Sequence, residues 1–109
     1  MNKRGWVLIT GASSGIGCSL AKKFAEHSYN VVLVSRNFDR LSEVSRHLSE
    51  KYKVKTLVIA SDLTLFDAYR EIFNTVQKAE IPIEILVNNA GFGIHGEFVD
   101  TDLKSEQRP

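Results

Sequence analysis

Residues 6–17 read Trp6-Val7-Leu8-Ile9-Thr10-Gly11-Ala12-Ser13-Ser14-Gly15-Ile16-Gly17. Four apolar residues run without interruption, and a turn with three glycines follows. Ile16, Leu20 and Phe24 then recur every four residues, with Ala21 and Ala25 beside them. The continuous run predicts a strand buried on both faces. The four-residue spacing predicts a helix whose other face carries Lys22, Lys23 and Glu26. A strand that passes through a glycine-rich turn straight into a helix is an arrangement that binds phosphate. The glycines let the backbone approach, and the helix N-terminus offers unpaired N–H groups and the positive end of its dipole. The spacing is G-x-x-x-G-x-G, not the more familiar dinucleotide pattern G-x-G-x-x-G. On this stretch alone, a plain structural turn stays open as the alternative.

The rest of the chain repeats the alternation. Val31-Val32-Leu33-Val34 is a second apolar run, closed by Ser35-Arg36-Asn37. Val54 to Ala60 is a third, and Ile83 to Val87, closed by Asn88-Asn89, is a fourth. Their length and β-branched content predict four strands, all buried on both faces. Leu41, Val44, Leu48 and Tyr52 mark a second helical stripe, and Leu65, Tyr69, Ile72, Phe73 and Val76 a third. Thr64 and Asp67 resemble a capping box at the start of the third helix. Pro82 ends anything helical before the last strand. The predicted order is β-α-β-α-β-α-β. Strands alternating with helical crossovers give an α/β fold, a Rossmann-type doubly wound parallel sheet that ends after about four strands. Beyond Gly93 the pattern turns polar, with Asp100 or Thr101 as a candidate helix cap.

Composition narrows the function classes. The 109 residues are 43% hydrophobic, with 14 basic and 13 acidic side chains and a net charge of +1. That is the balance of a globular domain, not of a disordered chain. It gives no electrostatic reason to expect a nucleic acid or a membrane surface as partner. A lone cysteine excludes an internal disulfide framework, and a reduced cytoplasmic setting is the default expectation. No apolar run approaches a membrane span, and the stretch after Met1-Asn2-Lys3-Arg4 is too short for a secretory signal.

The candidate chemistry lies at the ends of the predicted strands, where open α/β sheets bind their ligands. Ser35 and Arg36 fall about twenty residues beyond the glycines, the position that meets the adenosine ribose in such sheets. An acidic residue there holds ribose hydroxyls and repels a 2′-phosphate. A guanidinium instead makes charge-assisted bonds to that phosphate. Arg36 therefore favours NADP(H) over NAD(H). The third strand runs into Ser61-Asp62-Leu63 and the fourth into Asn88-Asn89-Ala90-Gly91. Asn88 and Asn89 can bond backbone groups of neighbouring loops, and Ala90 and Gly91 are small enough for a ring to lie close.

Taken together, Thr10 to Gly17, Asp62-Leu63 and Asn88 to Gly91 resemble the short-chain dehydrogenase/reductase family. The resemblance spans residues 4–103. It implies that Ser13, Ser14 and Ile16 line the pyrophosphate and ribose, with Gly11, Gly15 and Gly17 permitting the approach. It implies that Arg36 holds the 2′-phosphate, as in NADP-preferring members, and that Asp62 contacts the adenine with Leu63 beside it. Asn88, Ala90 and Gly91 are expected to border the ribose towards the nicotinamide. Asn89 is expected to be structural, tying the fourth strand to its neighbour.

One departure matters. Family members are longer and place a serine and a Tyr-x-x-x-Lys pair after the Asn-Asn-Ala-Gly segment, where the tyrosine acts as general acid/base. Tyr29, Tyr52 and Tyr69 are the only tyrosines here, and none stands in that pattern. Residues 1–109 are thus expected to be a partial NAD(P)-binding domain without catalytic residues of its own. The alternative is a non-catalytic dinucleotide-binding or interaction module. Cys18 is expected to be inert, His27, His47 and His95 are too scattered to bind metal, and Lys51, Lys53 and Lys55 read as a solvated row. The fourth strand is expected to expose an apolar edge prone to self-association.

Overall fold

The structure is a computed structural model, and it describes residues 5–89. Four strands form one parallel sheet: β1 (Trp6–Thr10), β2 (Asn30–Ser35), β3 (Thr56–Ala60) and β4 (Ile83–Asn88). Helices α1 (Gly15–Glu26), α2 (Phe38–Tyr52) and α3 (Ala68–Lys78) connect them in the predicted order. The strand order is β3-β2-β1-β4, so the chain winds outward from β1 in one direction and returns past it to place β4 on the other side. Thr10 pairs with both Val34 and Asn88, and Ser35 with Ala60. All four strand ends therefore reach one edge together.

The alternation along β1 and β2 splits the core into two layers. Val7, Ile9, Val31 and Leu33 face α1 and α2, where Ala21, Leu41, Val44 and Leu48 cover them. Leu8, Val32 and Val34 face α3 and meet Ile72 and Val76. Burying a branched side chain of this size stabilises the fold by about 1.5–3 kcal/mol each. The expectation of strands buried on both faces holds for β1 and β2 only. β3 is half-buried, and β4 alternates half-buried with exposed residues, because each borders only one strand among those described.

The helices depart from the expected stripes at their first turns. On α1 the covered face is Gly17, Cys18, Ala21 and Ala25. Leu20 and Phe24 pack at its margin, and Ile16 is 69% exposed. Small side chains bring this helix close to the sheet, so the larger residues flank the contact instead of filling it. α3 begins at Ala68, so Leu65 precedes the helix and is exposed, as is Phe66. The expected cap pair does not form. Asp67 makes no side-chain cap bond, and Thr64 bonds Asp62. Cys18 is free and buried. The positions of Ala90, Gly91, His95, Asp100 and Thr101 lie outside the described residues.

Gly17 is where α1 touches β1's turn. A Cβ there would sit inside the Gly11 carbonyl, 2.8 Å from its carbon and 3.0 Å from Ala12 Cα, all backbone that cannot swing away. Gly15, two residues earlier, has nothing within 4 Å of the same added atom. Gly17→Ala is expected to destabilise the fold by about 2–4 kcal/mol. Gly15→Ala is expected to change it by less than about 1 kcal/mol. Denaturant unfolding of the two variants checks the contrast, and equal losses would refute the contact as its cause.

Candidate functional site

The turn after β1 is organised around one carbonyl. Gly11 adopts φ 65°, a left-handed conformation that favours glycine. Its oxygen accepts from Ser14 N at 3.2 Å, Ser14 Oγ at 2.8 Å and Asn89 Nδ2 at 3.3 Å. Ser14 is the N-cap of α1, and its Oγ accepts from Gly17 N at 3.2 Å and from Asn89 Nδ2 at 3.3 Å. Ala12 N donates to Val34 O at 3.1 Å, which fastens the turn to the end of β2. Asn89 thus has the tying role expected of it, but it ties β4 to the turn's backbone and to the helix cap at once.

This packing leaves a helix N-terminus open to an anion. Ser14 caps Gly17 N, and Ser14 O receives Cys18 N at 2.7 Å. The first-turn N–H groups of Gly15 and Ile16 have no partner among the described residues. The first turns of α2 and α3 carry Asp39 and Glu71, whereas that of α1 carries no acid. Only α1, of the three, keeps the positive end of its dipole uncompensated. Exposed Ile16 and Gly15 and half-buried Ser13 surround that end.

The other strand ends converge on the same edge. Ser35 is buried and its Oγ accepts from Asn37 N at 3.1 Å, which turns the chain out of β2. Asn37 then caps α2 by accepting from Arg40 N at 3.0 Å. Between them, Arg36 is exposed and belongs to none of the three salt bridges among the described residues. Asp62 Oδ1 accepts from Thr64 Oγ1 at 2.7 Å and Thr64 N at 3.0 Å. Those two bonds, with the Arg36 guanidinium nearby, hold the Asp62 carboxyl below the usual carboxylate range. Leu63 packs against the α3-side core.

Asn88 ends β4 in a small polar cluster that the sequence did not signal. Its Oδ1 lies 2.6 Å from the Tyr69 hydroxyl and 2.9 Å from Thr10 Oγ1. Thr10 also bonds Tyr69 directly. Tyr69 sits in the first turn of α3, half-buried, so its ring packs as the apolar stripe suggested while its hydroxyl reaches the strand ends. Burial pushes its pKa up. The phenol therefore stays protonated and able to donate across the neutral range. Asn88 and Tyr69 stand 19 residues apart, and no periodicity links an α3 residue to the end of β4.

A strand–glycine turn–helix with an open N-terminus, on a parallel sheet of order 3-2-1-4, is now joined to a direct match. The sequence pattern of the short chain dehydrogenases fits residues 5–108. The chain belongs to the short chain dehydrogenase family. Very-long-chain 3-oxoacyl-CoA reductase from Macaca fascicularis is 45% identical over 86 residues, which are 79% of this chain and 27% of that protein. Inactive hydroxysteroid dehydrogenase-like protein 1 from Rattus norvegicus is 38% identical over 88 residues, 79% of this chain and 26% of the relative. L-sorbose reductase from Gluconobacter frateurii, solved with NADPH and L-sorbose, superposes with a TM-score of 0.77 at 39% identity, covering 89% of this chain and 37% of the reductase. The chain thus spans about a quarter of the curated relatives it matches. Among the described residues no helix is long and apolar enough to cross a membrane, and no cluster of His, Cys, Asp or Glu could hold a metal.

The Asp62 carboxyl gives a test of the local geometry. Because it titrates below its unfolded value, its contribution to the turn is present above the ordinary carboxylate range and is lost as pH falls through the lowered pKa. Thr64→Ala removes the hydroxyl donor and leaves the backbone one. The Asp62 titration followed by carboxyl-carbon NMR is expected to move up towards the ordinary value without reaching it. An unmoved midpoint would disprove the bond.

Proposed function

We propose that this chain is the NADP(H)-binding portion of an oxidoreductase that transfers hydride between the nicotinamide and a carbonyl or alcohol substrate. The uncompensated N-terminus of α1, with free N–H groups at Gly15 and Ile16, carries the reading. It would hold the pyrophosphate, with Gly11, Ser13, Ser14 and Gly17 shaping the approach. Arg36, exposed and outside the ion pairs, is available to a 2′-phosphate. Asp62 and Leu63 would flank the adenine, and Asn88, Ala90 and Gly91 the ribose nearer the nicotinamide. The NADPH complex of L-sorbose reductase, which shares this fold, supports the choice of cofactor. No Tyr-x-x-x-Lys pair occurs in the chain, so residues 1–109 are proposed to bind the cofactor without turning it over. The likeness to an inactive dehydrogenase-like protein keeps a non-catalytic binding module as the second reading. A reducing, cytoplasmic setting accords with the free thiol of Cys18.

Fluorescence titration with NADPH and NADH tests the cofactor choice. NADPH is expected to bind at least about tenfold more tightly, and Arg36→Leu to cost about 10–100-fold in NADPH affinity while sparing NADH. Equal affinities in the unsubstituted chain, or no binding at millimolar NADPH, would overturn the reading.

The outer edge of β4 has no strand partner among the described residues, and Leu86 on it is 48% exposed. We propose that this edge associates with a second copy of the chain, as unpaired apolar strand edges do. Sedimentation velocity over a dilution series is expected to show a dimer that dissociates on dilution. A monomer at every concentration would remove the proposal.

A further inference from the structure

The contact of Tyr69 with the end of β4 has a use beyond packing. Three oxygens meet there: Tyr69 Oη, Thr10 Oγ1 and Asn88 Oδ1. An amide oxygen can only accept, so Tyr69 Oη donates to it at 2.6 Å and Thr10 Oγ1 at 2.9 Å, with Val87 O a second acceptor for Thr10 at 3.4 Å. The structure thus places the amide with its oxygen inside the cluster. Oδ1 is turned towards β1 and α3, and Nδ2 is left with no partner among the described residues. Asn88 itself is exposed at the strand end, so this donor is offered to a ligand at the edge and not to the core.

We propose that Tyr69 is a positioning residue of the dinucleotide site, which with Thr10 holds the Asn88 amide so that its NH2 group donates to a ribose hydroxyl of the bound cofactor. The proposal rests on the dinucleotide reading above. A freely rotating asparagine would present oxygen and nitrogen to the ribose about equally and would lose rotamer freedom on binding. Here the folded chain has already ordered the side chain, so less freedom is lost when the cofactor arrives. The phenol is protonated at neutral pH, so its donor stays in place.

The test is NADPH affinity of the full chain by fluorescence titration, with thermal unfolding measured alongside. Tyr69→Phe keeps the ring and removes the hydroxyl. It is expected to weaken NADPH binding about three- to tenfold, the range for one well-placed hydrogen bond. Thr10→Val is expected to do the same and Thr10→Ser to retain affinity. In an Asn88→Ala background, Tyr69→Phe is expected to have no further effect on binding, because the group it positions is gone. A purely structural tyrosine would lower the unfolding temperature equally in both backgrounds and leave the NADPH affinity unchanged, and that result would overturn the proposal. A Tyr69→Phe loss that persists undiminished in the Asn88→Ala background would overturn it too. If the unsubstituted chain fails to bind NADPH, the dinucleotide reading falls and this proposal with it. Normal binding by Tyr69→Phe removes the positioning role alone.

Discussion

Helix α1 lies against the end of β1 with only backbone between Gly17 and the carbonyl of Gly11. That approach governs the rest of the site. It sets the first turn of α1 directly beyond the strand, and it packs Ser14 where one hydroxyl can both cap the helix and bond the Gly11 carbonyl. The same carbonyl receives Asn89, so the end of β4 is held by an atom whose position depends on two glycines. A side chain at Gly17 would push the helix outwards and loosen the turn, the cap and the β4 end together, and one at Gly11 would strain its left-handed backbone.

Parallel pairing does the complementary work. Since every strand in the sheet runs the same way, Thr10, Ser35, Ala60 and Asn88 finish side by side. Their neighbours differ in chemistry along that edge: an open helix dipole beside β1, a guanidinium after β2, a hydrogen-bonded carboxylate after β3, and a fixed amide at β4. That row of groups along one edge is what the proposed dinucleotide site is built on.

Much of this was legible in the residues themselves. Continuous apolar runs gave the strands, and four-residue spacing gave the helices, because burial on a sheet or a helix leaves a periodic record. The glycines around Ser13 and Ser14, and the asparagines after Val87, mark the edge in the sequence itself. What escaped the reading has physical causes. Ile16 fits the helical period yet faces out, because the contact is made through glycine, cysteine and alanine. Thr64 and Asp67 have the spacing of a cap, but the Thr64 hydroxyl is turned to Asp62 and the helix starts only at Ala68, with Asp67 at its N-cap and no side-chain cap bond. The Tyr69–Asn88 bond joins elements by tertiary placement, which no local pattern encodes. Each helix also ends beside a non-glycine residue with positive φ, at Ser28, Lys53 and Glu80, so the usual glycine stop signal is missing.

The bonds from Asn89 to the glycine-rich turn join residues 78 and 75 positions apart. The turn therefore cannot reach its final form from local sequence alone. During synthesis, β1, α1 and β2 can leave the ribosome before the residue that clasps the first turn has been made. Closing so long a loop is slow relative to forming a hairpin or a helix. The turn after β1 is consequently completed only once β4 and the residue beyond it have been made, however early its own residues emerge.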